Sequence, residues 1–288
     1  MSAAAASGTD VGAHWRSFAA QYALLGSPLR PCVEDIRIIE EMLAGRADVF
    51  GAAASKRVWL LGVTPAIAEA RWPPGIELLA VERVRAMIDQ VWPGDTGSRR
   101  AICADWLEAP FPDRHFDLAI GDGCLAAVGH GDELSRLLAS IHRCLRRDGY
   151  LMMRLFCRPD VAETPDEVFA ALESGAIGSF HAFKWRLAMA LQGLAEAPDV
   201  AVDAVWQTWN AARIDWQALA EARGWAPAEV ATMDFYRGSP ARYNFMRYDA
   251  AIGHLARAGF DLVAKRAGSY ELAERCPTVL LRKTRDRA

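Results

Sequence analysis

The sequence predicts an α/β protein built on a doubly wound, mostly parallel sheet, with N-terminal helices and a helical insertion. Three observations carry this expectation. From about residue 57 to 156, apolar strand-like runs alternate with runs of helical period, and strands separated by helices imply crossovers and parallel pairing. The strand runs are apolar nearly throughout, as burial on both faces of a sheet requires. The composition is that of a folded chain: of 288 residues, 52% are hydrophobic and 24% charged, and that length can bury a substantial core.

Residues 1–12 are small and polar and are expected to form a disordered tail. Residues 13–56 are expected to be helical. "HWRSFAAQYALLG" sets Trp15, Phe18, Ala19 and Tyr22 at helical spacing, and "SPLRPCVEDIRIIEEMLA" reads as a loop and a second helix beginning near Pro31. The alternation then runs strand "RVWLLGV", helix "AIAEARW", strand "IELLAVE", helix "VRAMIDQVW", strands "RRAICAD" and "FDLAIGDG", helix "GDELSRLLASIHRCLR" and strand "GYLMMRLF". Residues 160–235 break this rhythm with helical periods and five of the ten tryptophans, which reads as a helical cap. Residues 236–288 give a helix and a closing antiparallel strand pair, bringing the sheet to seven strands and uniting 57–159 with 236–288 in one cofactor-binding domain.

Composition also excludes function classes. Asp and Glu (36) outnumber Lys and Arg (33), for a net charge of −3, without the basic face that a duplex-binding protein needs, so no nucleic-acid partner is expected. No apolar run reaches the roughly 18–20 residues that span a bilayer. The first residues have neither a positive start nor a hydrophobic core, so a cytoplasmic location and no membrane partner are expected. Six cysteines without a C-x-x-C pair or a histidine ladder argue against zinc and a disulfide framework. Most read as small core residues.

In a doubly wound sheet, ligands bind beyond the carboxyl ends of the strands, so each strand-to-helix turn is a candidate contact. In "LGVTPA", Gly62 permits close backbone approach, while Val63, Thr64 and Pro65 lead into a helix whose first N–H groups are free. Glu82 ends the second strand twenty positions later, at the offset where a carboxylate takes both ribose hydroxyls of an adenosine-containing cofactor. The alternative for each is plain: a packing turn and a solvated strand end.

The next stretches, "CADWLEAPFPDRHFDLAIGDGCL" and "LLASIHRCLRRDGYLMMRLF", resemble class I S-adenosylmethionine-dependent methyltransferases of the type 11 kind. The match covers residues 57–156. The resemblance implies a Rossmann-like sheet, S-adenosylmethionine as cofactor with S-adenosylhomocysteine as product, and no metal. It implies that Asp105 and Trp106 flank the adenine, and that Asp122 and Gly123 lie near the methionyl part. Asp122, His130 or His181 would take a proton from the acceptor. Arg30, in "GSPLRP", would pair with the cofactor carboxylate. The first motif departs from the family, which usually carries an acidic residue before the first-strand glycine and G-x-G after it. Here Leu60 and Leu61 precede "GVTPA", and the usual partner of the methionyl amine is missing.

Methyl transfer to a small-molecule acceptor, at oxygen, nitrogen or carbon, is the expected activity. The acidic balance and the lack of a "PP-x-[YFW]" motif after the fourth strand speak against RNA or DNA. His181, Trp185, Trp206, Trp209 and Trp216, together with "DFYRGSPARYNFMRY", would close over a small apolar or aromatic substrate, or serve as a homodimer surface. Trp15 and Tyr22 would line the same mouth. Two rival readings stand: a methyltransferase-like binding module without turnover, favoured by the altered first motif, and a nicotinamide-dependent oxidoreductase, which fits Glu82 but not a single glycine.

Overall fold

A computed structural model describes residues 11–44, 46–50, 56–194 and 198–284. Residues 1–10 of the expected tail lie outside the described residues, while Val11 and Gly12 already belong to the first helix, α1 (Val11–Ala19). Two more helices follow, α2 (Val33–Ala44) and α3 (Ala47–Phe50). The sheet is then built from β1 (Lys56–Leu61), β2 (Ile76–Glu82), β3 (Arg99–Cys103), β4 (Phe116–Asp122), β5 (Leu145–Arg154), β6 (Phe260–Arg266) and β7 (Thr278–Lys283). Helices α4 (Pro65–Ala68), α5 (Arg85–Val91) and α6 (Asp132–Cys144) connect the first strands.

The seven strands lie in the order β6-β7-β5-β4-β1-β2-β3. The first five pair in parallel, and β7 runs antiparallel between β5 and β6. This is the expected doubly wound sheet. Its strand order reverses at β1, where crossovers depart to opposite sides and leave a crevice beyond the carboxyl ends of β1 and β4.

The pleat of β1 distributes its side chains to two cores. Trp59 and Leu61 join Leu137, Leu138 and Ile141 of α6 on one face. Val58 and Leu60 join Ile38, Ile39 and Met42 of α2, with Ile67 and Met87, on the other. All four strand residues are at most 1% exposed, which explains the unbroken apolar run. A third core unites α7 (Pro165–Ser174), α8 (Phe180–Leu194), α9 (Val202–Ala211), α10 (Trp216–Arg223) and α11 (Pro227–Ala231) around Phe180, Phe183 and Leu187. Helix α12 (Tyr248–Arg257) returns the chain to the sheet.

Two boundaries differ from expectation for local reasons. The helix expected through "AIAEARW" stops at Ala68. The Trp72 indole donates to the Ile67 carbonyl at 3.0 Å, and Pro73 and Pro74 bar further helix. At the end of α6, Leu145 pairs at once with Phe116 and the register then shifts, so β5 begins four residues before "GYLMMRLF".

One buried ion cluster ties the N-terminal helices to the sheet. Arg154, at the end of β5, donates from Nη1 to Asp122 Oδ1 at 2.6 Å and from Nη2 to the Pro28 carbonyl at 2.7 Å. Its Nε lies 3.3 Å from Asp35 Oδ1 of α2, with all three side chains nearly dry. The Tyr270 hydroxyl donates to Asp35 at 2.7 Å, and the Cys32 amide donates to its other oxygen at 2.9 Å. Burial opposes the Arg154 charge, but Asp122 and its other neighbours hold its pKa well above the ordinary value. Removing the cation leaves two buried carboxylates. Arg154→Met should lower urea-measured stability by about 3–5 kcal/mol, and Tyr270→Phe by about 1 kcal/mol. A loss from Arg154→Met no larger than that from Tyr270→Phe would contradict this account.

Candidate active site

A solvent-open cavity of about 100 Å³ lies beyond the carboxyl ends of β1, β2 and β4. Gly62, Val63, Thr64, Glu82, Trp106, Asp122 and Gly123 all line it. Seven of the residues singled out in the sequence are thus brought together. Asp105 borders an adjoining hollow that shares Glu82 and Trp106 with the cavity. Arg30 and Pro65 border a second groove, which shares Tyr22 and Val91 with it.

The turn after β1 is set by Gly62, whose φ of +86° favours glycine. Its amide donates to the Val81 carbonyl at 2.8 Å. The Trp106 indole donates to the same carbonyl at 2.6 Å, so one strand-end oxygen fixes both the turn and the ring beside it. A side chain at residue 62 would meet Trp106 Cζ2 at 3.7 Å and Glu82 Oε2 at 3.9 Å. The turn, the indole and the carboxylate therefore enclose one small space. Glu82 Oε1 accepts from the Val84 amide at 2.8 Å. Burial raises the Glu82 pKa against that hydrogen bond.

Asp105 Oδ1 accepts from the Leu107 amide at 2.9 Å and so caps the turn after β3. The carboxylate still borders the hollow beside Glu82 and Trp106. Gly123 has φ +64°, and a side chain there would strike the Phe156 ring at 2.2 Å. Close approach at Gly123 is thus already used by Phe156. Arg30 holds its guanidinium 5.7 Å from the Tyr22 ring centre, at the edge between groove and cavity.

The proposed proton acceptors need correction. Asp122 is no free base: Arg154 holds its Oδ1, and burial raises its pKa while Arg154 opposes that rise. His130 packs against the His254 ring at 5.8 Å and does not border the cavity. His181 is 3% exposed, with Nε2 3.1 Å from the Leu24 carbonyl. It fixes the loop after α1 and likewise stays outside the cavity.

Trp15 and Tyr22 reach the cavity, as expected, Phe18 joins them, and from the tryptophan-rich segment Trp185 alone does so. Trp206 donates to Asp234, and Trp209 stacks on Trp216 at 4.9 Å. Phe156 and Met87, both in the cavity wall, escaped the sequence reading. Phe156 lies two residues past β5, and treating that strand end as a further candidate turn finds it. Tyr243 completes the wall. Its hydroxyl is 3.1 Å from His14 Nε2, and His14 Nδ1 is 2.9 Å from Ser239 Oγ.

Burial, with the charge of Lys184, lowers the pKa of both His14 and His181 to about 4. Both imidazoles are neutral in the fold, whereas in the unfolded chain they bind protons near pH 6.5. Their contribution is full above about pH 6.5 and is lost as the pH falls toward 4. Urea midpoints should fall across that window, and the double variant His14→Gln/His181→Gln should show a shallower fall. An equally steep fall in the variant would refute the assignment.

Among the described residues, no group of three His, Cys, Asp or Glu side chains is arranged to hold a metal ion. No helix among them is long and apolar enough to cross a membrane. Cys124, Cys144, Cys157 and Cys276 are buried.

Residues 62–153 match the family described as a methyltransferase domain. Among curated proteins none matches the chain. Solved structures do. The CcbJ methyltransferase of Streptomyces caelestis is 12% identical with a TM-score of 0.57, aligning 96% of this chain with 100% of that one. A protein from Rhodobacter sphaeroides named as a putative Zn-dependent alcohol dehydrogenase is 14% identical, with a TM-score of 0.60 and 96% and 99% coverage. The Burkholderia thailandensis 1,6-didemethyltoxoflavin-N1-methyltransferase, with 1,6-didemethyltoxoflavin and S-adenosylhomocysteine bound, is 18% identical, with a TM-score of 0.50 and 99% and 94% coverage. At these identities the structural likeness establishes the fold. The match identifies residues 62–153 as a methyltransferase domain.

Proposed function

We propose that this protein transfers a methyl group from S-adenosylmethionine to a small-molecule acceptor, at an oxygen, nitrogen or carbon atom. One observation carries the reading: a single cavity joins strand-end residues expected to hold the cofactor with a wall of aromatic side chains. The small molecule bound by the Burkholderia enzyme supports it by likeness of fold.

The chain's residues suit such a cofactor. Glu82, buried at the end of β2, accepts from two ribose hydroxyls. Trp106, fixed by Val81, packs beside the purine, and Asp105 accepts from the adenine amino group. Gly62, Val63 and Thr64 present backbone to the methionyl part, next to Pro65 at the start of α4. Arg30 reaches toward its carboxylate over the Tyr22 ring. Asp122 substitutes for the acidic residue missing before Gly62. The pairing of Leu61 with Gly121 sets Gly62 and Asp122 side by side at the ends of adjacent strands. Gly123 carries the chain past Phe156.

S-adenosylmethionine supplies a methyl group activated on a sulfonium. The protein's task is to hold the acceptor in line at about 3 Å and to exclude water, and orientation can supply much of the rate. Residues 160–235 act as a cap that brings Trp185 over the sheet. The test is calorimetric titration with S-adenosylhomocysteine. Binding is expected, with Glu82→Gln and Asp105→Ala each weakening it by about 1–3 kcal/mol. Unchanged affinity in both variants would remove these roles. No binding by the unaltered protein would leave a methyltransferase-like module without turnover.

A further inference from the structure

The strand-end cavity is small for a molecule that carries a nucleoside. It measures about 100 Å³, against the roughly 300–1,000 Å³ of small-molecule sites. The space beside it is divided, and α1 with the turn after it borders every part. A hollow of about 50 Å³ shares Trp15, Glu82, Trp106 and Ala127 with the cavity. A groove of about 620 Å³ shares Tyr22 and Val91 with it, and Ala19 and Ala20 line that groove too. Trp15 thus borders both cavity and hollow, and Tyr22 both cavity and groove. Moving this one segment joins the three spaces.

The segment is lightly held over its own length and firmly held beyond it. Among the α1 side chains described, His14 and Ala19 alone are buried, at 4% each. Trp15, Phe18 and Tyr22 touch the core of the sheet but stay half-buried. A helix that buries so little opens locally at low cost. His14 fastens it: its Nε2 lies 3.1 Å from the Tyr243 hydroxyl and its Nδ1 2.9 Å from Ser239 Oγ, both on the chain between the cap and α12. Past the turn the chain is moored to the body. The Leu24 carbonyl lies 3.1 Å from His181 Nε2, the Ser27 carbonyl accepts from Ser179 at 3.4 Å, and the Pro28 carbonyl accepts from Arg154 at 2.7 Å. Gly26 lies so near His181 that a side chain there would meet the ring at 2.9 Å. Between the two regimes, Ala20 and Ala23 are small and exposed, as hinge positions often are.

We propose that α1 is a lid that turns about residues 20–24, is latched shut by His14, and opens to admit the cofactor to the strand ends. The lid and its latch rest on the contacts above. That the entering molecule is S-adenosylmethionine rests on the proposed methyltransferase function. His14 is a positioning residue and touches no reacting atom.

Hydrogen exchange followed by mass spectrometry tests the lid, with α6 as the internal reference. In the free protein, amides of residues 13–23 should exchange at least about a hundredfold faster than those of α6. His14→Phe keeps a ring in place and removes both latch bonds, and it should speed exchange of the lid about tenfold or more while α6 is unchanged. Tyr243→Phe removes one of the bonds and should speed it about fivefold. Saturating S-adenosylhomocysteine should slow the lid and not α6. Its association rate, followed by tryptophan fluorescence in stopped flow, should rise in His14→Phe by the factor seen in exchange. Lid amides as slow as those of α6, exchange unmoved by His14→Phe, or an association rate unmoved by it would each overturn the inference. Failure of the cofactor reading is seen separately: S-adenosylhomocysteine then does not bind, while exchange in the free proteins still decides the lid and its latch.

Discussion

The contact on which the rest of this structure depends is the pair made by Arg154 with Asp35 and Asp122. Arg154 ends β5, Asp122 ends β4, Asp35 belongs to α2, and Tyr270 comes from the loop before β7. Four separate parts of the chain meet at one dry guanidinium. A fork of five donors can satisfy several oxygens at once, which an ammonium cannot do in the same plane. The cluster is costly to assemble in a low-dielectric interior, and its value lies in fixing one arrangement. That arrangement places Asp122 and Gly123 beside the turn at Gly62 and holds the N-terminal segment over the sheet.

From this anchor the cavity follows. The reversal of strand order at β1 opens a crevice, and α1 and the loop after it supply Trp15, Phe18, Tyr22 and Leu29 to its wall. Helix α8 and the strand carrying Tyr243 supply the opposite wall. The cofactor side is polar and made of strand ends, while the far side is made of rings. This division separates the two tasks of a group-transfer site. Under the proposed function, one side recognises the cofactor and the other selects the acceptor.

Much of the fold was legible because burial on both faces writes unbroken apolar runs such as "RVWLL" and "LLAVE", and crossover helices write a different period between them. Glu82, Trp106 and Asp122 were legible because the ends of strands in this sheet fall at positions that the runs themselves mark. The ion cluster was not legible. Asp35, Arg154 and Tyr270 are separated by more than a hundred residues at each step, and no local pattern announces a contact that only the folded sheet creates. The two histidines misled for a related reason: nothing near His130 or His181 in sequence reveals that one meets another imidazole and the other a carbonyl of the first loop. Phe156 and Tyr243 lie inside the quoted stretches "GYLMMRLF" and "DFYRGSPARYNFMRY", but nothing local marks them there, and their place in the wall depends on how β5 ends and on the short pairing of Val200–Ala201 with Arg242–Tyr243.

At the altered first motif, Leu60 is a buried core residue and Leu61, also buried, borders the cavity; the carboxylate closest to the turn is that of Glu82. The central claim is that one cavity holds the cofactor at the strand ends with its sulfur facing the ring-lined wall. A crystal structure of the protein soaked with S-adenosylhomocysteine tests this most directly. The account predicts the ribose hydroxyls on Glu82, the purine beside Trp106 and the sulfur directed toward Trp185 and Tyr243. A bound molecule whose sulfur faces away from those rings, or which lies outside this cavity, would contradict it.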